Sequence, residues 1–311
     1  MTRARQILLI PVLLLLLGAT ACIRENIDDC ETPVTLEFMY FGDGPVDVFS
    51  DRIQSVELFV YSDKGELVQT VSCPQEALAS NQGAQLRLLE GSYRIVCWGN
   101  VLDNTHIEAE AETPHIGEAS WFEGSSCSGI DPLYFGETSI TVPRTLRPVR
   151  DTVIYTCAHI SISVNLLGFA DASNFTTASR SAAANGQDSA IVTLVHEDLS
   201  AHIDFHNTPS ETLTDYTPDL IGHPEKEDSY LATYRVPRFT NSTTSQLVLY
   251  HNDTGAELFR RPLADILEGL GIDVESRDEL NIELNIHVWN SNGEVHIQVV
   301  GWDTEIVFPV M

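Results

Sequence analysis

Leu280-Asn281-Ile282-Glu283-Leu284-Asn285-Ile286-His287-Val288-Trp289, then Asn290-Ser291-Asn292-Gly293, then Glu294-Val295-His296-Ile297-Gln298-Val299, is the stretch that decides the fold. Apolar and polar residues alternate on both sides of a run of turn formers. A period of two puts Leu280, Ile282, Leu284, Ile286 and Val288 on one face of a strand. The stretch reads as two half-buried antiparallel strands, 280–289 and 294–302, joined as a hairpin. The same alternation recurs at Val34, Leu36, Phe38 and Tyr40, at Val56, Leu58 and Val60, and at Ile160, Ile162, Val164 and Leu166. Tyr93 to Trp98 is a further β-rich run. One segment keeps a helical period instead: Leu263, Ile266, Leu267 and Leu270 share a helix face after Pro262, and Gly271 closes it. The expected fold class is all-β, two antiparallel β-sandwiches with a minor helix near 263–270.

Working outward, the first 22 residues read as a lipoprotein signal. Arg3 and Arg5 are a basic n-region, Ile7 to Leu17 is apolar apart from Pro11, and Gly18-Ala19-Thr20-Ala21 supplies small residues directly before Cys22. The apolar run is too short for the roughly 20 helical residues that span a bilayer. Ala19 stands where such signals most often carry leucine; the position of the cysteine decides the reading. Residues 1–21 are expected to be removed and Cys22 to carry lipid, which ties the protein to a membrane from outside the cytoplasm. After Leu17 no apolar stretch approaches spanning length.

The chain has 17 Lys and Arg against 45 Asp and Glu, a net charge of −28. Removal of residues 1–21 takes away two arginines and no acid and leaves −30. A surface this acidic repels nucleic acid and anionic headgroups. Hydrophobic content of 43% with clear periodicity places the acids on folded, solvated faces rather than in a disordered chain. The mature length suits two domains. Pro143, Arg144, Arg147, Pro148 and Arg150 mark a link, so the expected units are 22–146 and 147–311, with a surface loop at 170–189. Cys30, Cys73, Cys97, Cys127 and Cys157 remain after Cys22. An exported protein can form disulfides, but an odd count leaves at least one thiol unpaired, and the pairing stays open.

Several blocks then converge on a family. Cys30-Glu31-Thr32-Pro33-Val34-Thr35-Leu36 follows shortly after Cys22, and Val56-Glu57-Leu58-Phe59-Val60-Tyr61-Ser62-Asp63-Lys64-Gly65-Glu66-Leu67-Val68 comes next. Glu90-Gly91-Ser92-Tyr93-Arg94-Ile95-Val96-Cys97-Trp98-Gly99-Asn100 precedes Asp131-Pro132-Leu133-Tyr134-Phe135-Gly136, and Val299-Val300-Gly301-Trp302 lies near the end. In this order and spacing they resemble the FimB-type fimbrial anchor lipoproteins of the Bacteroidales, over nearly the whole mature chain. The resemblance implies two transthyretin-like β-sandwiches in tandem. It further implies a lipid-anchored, surface-exposed subunit at the base of a fimbrium, which holds the filament to the outer membrane and limits its length. Its partners would be shaft or accessory subunits joined by β-strand addition, and no cofactor is implied. Tip adhesins of the wider fimbrillin superfamily are the alternative within the family. Each block also has a plain structural reading: Gly91-Ser92 enters a buried strand, Trp98 is core, and Asp63-Lys64-Gly65 is a hairpin turn. For strand exchange the leading segment is Asp303–Met311, where Ile306, Phe308 and Val310 alternate; the competing reading is that it pairs at home.

No catalytic site is expected. His196, His202 and His206 lie close together beside Glu197, but the spacing is not H-E-x-x-H, and Ile203 and Phe205 point to an ordinary half-buried strand. Gly124-Ser125-Ser126-Cys127-Ser128-Gly129 does not fit G-x-S-x-G and reads as a loop. Asp43, Asp47 and Asp51 lack the order of a calcium loop. Asp151-Thr152-Val153 and Asp188-Ser189-Ala190 resemble the D-[S/T]-apolar O-glycosylation motif of exported Bacteroidales proteins. A competing function, surface glycan binding for a nutrient importer, requires an exposed aromatic platform. Trp121 is the tryptophan that the sequence places for it.

Overall fold

The computed structural model describes residues 30–145, 147–170, 190–291, 294–301 and 305–309. Cys22, Ser189, Asn292, Gly293, Trp302 and nearly all of the expected 170–189 loop lie outside them. The molecule is predominantly β, as the alternation requires.

The chain runs β1 (Thr32–Tyr40), helix α1 (Phe49–Arg52), the hairpin β2 (Val56–Ser62) and β3 (Leu67–Cys73), helix α2 (Gln75–Ser80), β4 (Gly83–Leu88) and β5 (Gly91–Gly99). An excursion follows through β6 (Thr105–Glu108), β7 (His115–Glu118) and helix α3 (Ala119–Phe122), before β8 (Tyr134–Val142) and β9 (Val149–Cys157). The second run is β10 (His159–Leu167), β11 (Val192–Ser200), β12 (His202–Asp204), β13 (Leu213–Tyr216), β14 (Ile221–Gly222) and β15 (Ser229–Pro237). It continues with β16 (Gln246–His251), β17 (Glu257–Pro262), helix α4 (Leu263–Leu270), β18 (Asn281–Ser291), β19 (Glu294–Val299) and β20 (Glu305–Pro309).

The first run is one seven-stranded sheet, ordered β3-β2-β5-β8-β9-β1-β4. Alternation alone suggests two separate layers here. They are continuous because β1 pairs on both sides, parallel with β9 and antiparallel with β4. The sheet curls around Val34, Leu36, Phe38, Leu58, Val60, Ile95, Cys97 and Tyr155, and α2 connects its two edge strands. In the second run, β14-β15-β10-β18-β19-β20 and β13-β11-β16-β17 form two sheets. They enclose one core that includes Ile162, Val164, Leu194, Leu249, Leu284 and Ile297.

β18 and β19 pair antiparallel as the pattern requires, with Val288 opposite Ile297. The β18 residues Ile282, Leu284, Ile286 and Val288 are buried. Helix α4 buries Leu263, Ile266 and Leu267, and Gly271 ends it in the left-handed region at φ 67°, where a side chain would be strained. Pro143 and Arg144 do sit in a turn, but the strand that follows, β9, pairs with β8 and β1 of the first sheet. Sheet membership therefore changes at Ala158, not at residue 146.

Candidate assembly surfaces

The seam between the two runs is extensive and mixed in chemistry. β12 of the second run pairs with β7 of the first, giving a three-stranded sheet β12-β7-β6. Behind it, Phe59, Val96, Trp98, Ile116, Ile130, Leu133, Ile203 and Phe205 form a buried cluster drawn from both runs. Polar contacts flank it. Arg52 Nε meets Glu279 at 2.8 Å, and the Tyr134 hydroxyl donates to the same carboxylate at 3.3 Å. The Cys157 amide donates to Asp278 at 3.1 Å, and the Asp278 amide donates to Asp43 at 2.7 Å. Arg94 forms a two-pronged ion pair with Glu137 and also donates to the Phe205 carbonyl.

Residues of the sequence blocks order the first run on its side of this seam. Asn100 adopts φ 59° and its side chain makes three contacts. It accepts from the Gln54 amide at 2.7 Å and donates to the carbonyls of Arg52 at 2.8 Å and Pro132 at 3.2 Å. A Cβ at Gly99 would lie 2.9 Å from Ile53 Cγ2, and one at Gly136 would lie 2.6 Å from Val153 Cγ1. The two glycines are thus close-approach positions, Gly99 against the residue that follows α1 and Gly136 against β9. Trp98 is fully buried.

Open sheet edges are the second class of surface. The edges β3 and β4 of the first sheet border a solvent-open cleft of about 670 Å³, lined by Val68, Gln69, Gln85 to Leu89 and Tyr93. In the second run, β20 pairs antiparallel with β19, from Glu294 opposite Pro309 to Gln298 opposite Glu305. It occupies the outermost place in its sheet. The terminal segment thus pairs at home, through one ladder.

The remaining sequence candidates disperse. His196 is fully buried, with Nδ1 3.1 Å from the Tyr234 hydroxyl and Nε2 3.2 Å from Ser245 Oγ; burial pushes its pKa down to about 3. His202 packs against His115 and Trp121, and His206 Nδ1 lies 3.0 Å from Arg94. The three histidines thus have separate partners. Asp47 accepts from the amides of Tyr40 and Phe49 and from Gln82, which fixes the turn before α1. Thr152 lies in β9 opposite Glu37. All five described cysteines are free thiols, with only Cys30 exposed. Cys73 and Cys97 share a core, but β2 lies between their strands, which keeps their backbones beyond disulfide reach. Burial pushes the thiols of Cys97, Cys127 and Cys157 up to about 12.

Trp121 is half-buried among Phe122, His115 and His202, so it is a wall of the seam more than a platform. A second aromatic surface, missed in the sequence, is Trp289, half-buried like Trp121, whose ring stacks on His296 at 5.3 Å and 11°. Its position opposite His296 in the β18–β19 pair was available from the pattern alone.

Residues 27–308 match the family of fimbrillin-A associated anchor proteins, Mfa1 and Mfa2. The chain belongs to this family. Membership places this Mfa2-family protein among structural, non-enzymatic components of fimbriae, and it bears out the resemblance read from the sequence blocks. Among solved structures it is similar to the fimbrial anchor protein Mfa2 from Porphyromonas gingivalis, at 14% identity and a TM-score of 0.63 over 91% of this chain and 100% of that one. It is also similar to a Bacteroides ovatus protein provisionally described as an adhesin, at 18% identity and a TM-score of 0.65 over 91% and 97%. A third, from Bacteroides thetaiotaomicron and provisionally described as polysaccharide-binding, gives 15% identity and a TM-score of 0.61 over 90% and 99%. At these identities the likenesses carry the fold alone. No curated protein matches the sequence.

Proposed function

We propose that this Mfa2-family chain is the lipid-anchored subunit at the base of a fimbrium, holding the filament to the outer membrane through Cys22 and limiting its length. The family match carries the reading: it starts five residues after Cys22 and runs nearly to the end of the chain. Lipid at one end and an exchangeable sheet edge at the other suffice for an anchor. The β20 edge is the segment we assign to the neighbouring subunit, because it is held by a single ladder and its release would free both β20 and the edge of β19. A subunit that is tethered at one end and engages one neighbour ends a filament, so raising its abundance relative to the shaft subunit shortens the filaments. Its two units divide at Ala158, each a variant of the transthyretin-like sandwich.

The test is Cys22→Ala behind a signal peptide that still exports the protein. Filaments shed intact into the medium, with the variant at one end, support the anchor. Cell-bound filaments of unchanged number overturn it and leave the tip subunit. The glycan-binding alternative is favoured by one observation, the stacked Trp289–His296 pair. Binding of soluble polysaccharide that Trp289→Ala abolishes would support it.

A further inference from the structure

We propose that His115 and His202 form a two-histidine site for a divalent transition-metal ion such as Zn²⁺, with water in the remaining coordination positions. His115 belongs to the first run of the chain and His202 to the second, so the bound ion ties the two together across the β7–β12 seam.

Strand pairing sets the two rings side by side. Ile116 of β7 faces the buried cluster, so His115 and Gly117 lie on the outer face, and His202 of β12 stands directly opposite Gly117. The diagonal of an antiparallel pair is within reach of ring side chains. Gly117 keeps that diagonal open, since a Cβ there would lie 3.1 Å from His202 Cβ. The imidazole centroids are 4.5 Å apart, with the rings tilted by 44°. Two imidazoles on one ion, each bound through a nitrogen at about 2 Å, have centroids about 5 Å apart. The pair thus stands at chelating distance with the backbone as it is. Trp121 packs on His202 at 5.1 Å, and Phe122 stacks on His115 at 5.6 Å and 14°, so α3 holds both rings in place.

The nitrogens fit the same reading. His115 Nδ1 lies 2.8 Å from the Thr113 carbonyl, a bond that needs the proton on Nδ1 and leaves the lone pair on Nε2. A backbone carbonyl behind one ring nitrogen is the usual support of a metal-bound histidine. His202 Nδ1 is buried and has no hydrogen-bond partner among the described residues. A bare buried nitrogen calls for a partner, and an ion held jointly with His115 supplies one. Carboxylates flank the pair: Asp204 and Glu108 stand opposite His115 on the strands to either side, and Glu108 is itself 3.0 Å from His106. Their charge favours a dication. Among the described residues no third His, Cys, Asp or Glu side chain completes the set, so the site is open to water rather than a closed cage. Imidazole donors select zinc, copper or nickel over calcium and magnesium, which take oxygen.

The test uses the untagged mature chain carrying Cys22→Ala and Cys30→Ser, so that no accessible thiol competes for metal. Zn²⁺ titrated by calorimetry should bind in the micromolar range and resist competition by Ca²⁺. His115→Ala and His202→Ala should each weaken binding by roughly tenfold or more, whereas His106→Ala, on the same sheet face beyond Phe122, should leave it unchanged. Melting in EDTA separates a lost ligand from a lost fold. Paramagnetic resonance of the Cu²⁺ form reads the ligands with every histidine in place, and splitting from two imidazole nitrogens is expected. Zinc affinity unaltered in either His115→Ala or His202→Ala, no binding at millimolar zinc, or a copper signal with fewer than two imidazole nitrogens overturns the site.

Discussion

Phe205, from the second run of the chain, packs 6.0 Å from Trp98 and 5.1 Å from Phe59 of the first, centroid to centroid. It covers the face of β2 and β5 opposite to their own core. Phe205 is 2% exposed, so truncation leaves a cavity at the joint between the two units. Phe205→Ala is expected to cost about 3–5 kcal/mol in denaturant unfolding and to lower cooperativity, because it weakens the contact that makes the units unfold together. An unchanged, single transition would show that the polar contacts around Asp278 and Glu279 hold the seam by themselves.

Asn100 offers a second handle, within the first run. Its left-handed backbone suits asparagine, and its amide side chain ties the 52–54 turn to Pro132. Asn100→Ala loses these bonds and leaves buried backbone groups unpaired, an expected loss of about 2–3 kcal/mol measured by urea midpoint. Asn100→Gly, which relieves the backbone but restores no bond, should recover only the smaller part.

These two residues also show what was legible in the sequence. The period-two pattern gave the strands around Val34, Ile160 and Leu280 because each has one wet face, and α4 stood out by its different period. The seam was harder to read. Phe59-Val60-Tyr61 and Ile95-Val96-Cys97-Trp98 are apolar on both faces, which signals a covered sheet, but nothing in them says that residue 205 is the cover. The link at 143–151 drew attention for its prolines and arginines, and it is a turn within the first sheet. β9 could not be assigned to that sheet from pattern, since its partner β1 is over a hundred residues earlier in the chain. Gly99, Asn100 and Gly136 carried the family resemblance, and their spacing is explained by packing and backbone conformation alone.

Acid should unfold the protein from the histidines first. Burial lowers His196 to about 3 and His159 to about 4 from an ordinary value of 6.5. The unfolded chain therefore takes up protons below 6.5 that the folded chain refuses, so stability present at neutral pH falls as pH drops through that window. Each contributes a loss of about 2 kcal/mol by about pH 5. Urea midpoints should fall between about pH 7 and about pH 5, and His196→Gln should flatten the slope. An unaltered slope in that variant would show that His196 is not one of the groups responsible.

Thiol chemistry separates the cysteines cleanly. Cys30 is exposed, while Cys73, Cys97, Cys127 and Cys157 are buried, and burial raises the pKa of each of the four. Thiolate is the reactive form. In a Cys22→Ala background, iodoacetamide should label Cys30 in the native protein and all five residues after denaturation without reductant. A residue that reacts only after reduction would reveal a disulfide, and a shift in melting temperature with reductant would give its contribution.

The β20 edge allows the sharpest separation of folding from assembly. Removal of residues 303–311 deletes one strand that pairs only with β19, so the core of the second unit, built from β10, β15, β18 and β19 against β11, β16 and β17, is retained. The truncated protein should stay monomeric and soluble, with its melting temperature lowered by no more than a few degrees, and should lose co-purification with fimbrial subunits. The opposite manipulation is a pair of cysteines at Ile297 and Ile306, directly opposite in register. Oxidation of that pair should lock β20 at home and block assembly, and reductant should restore it. Full assembly with the strand locked would move the exchanged edge elsewhere, with the β3–β4 cleft as the next candidate because it has two unpaired edges facing one opening.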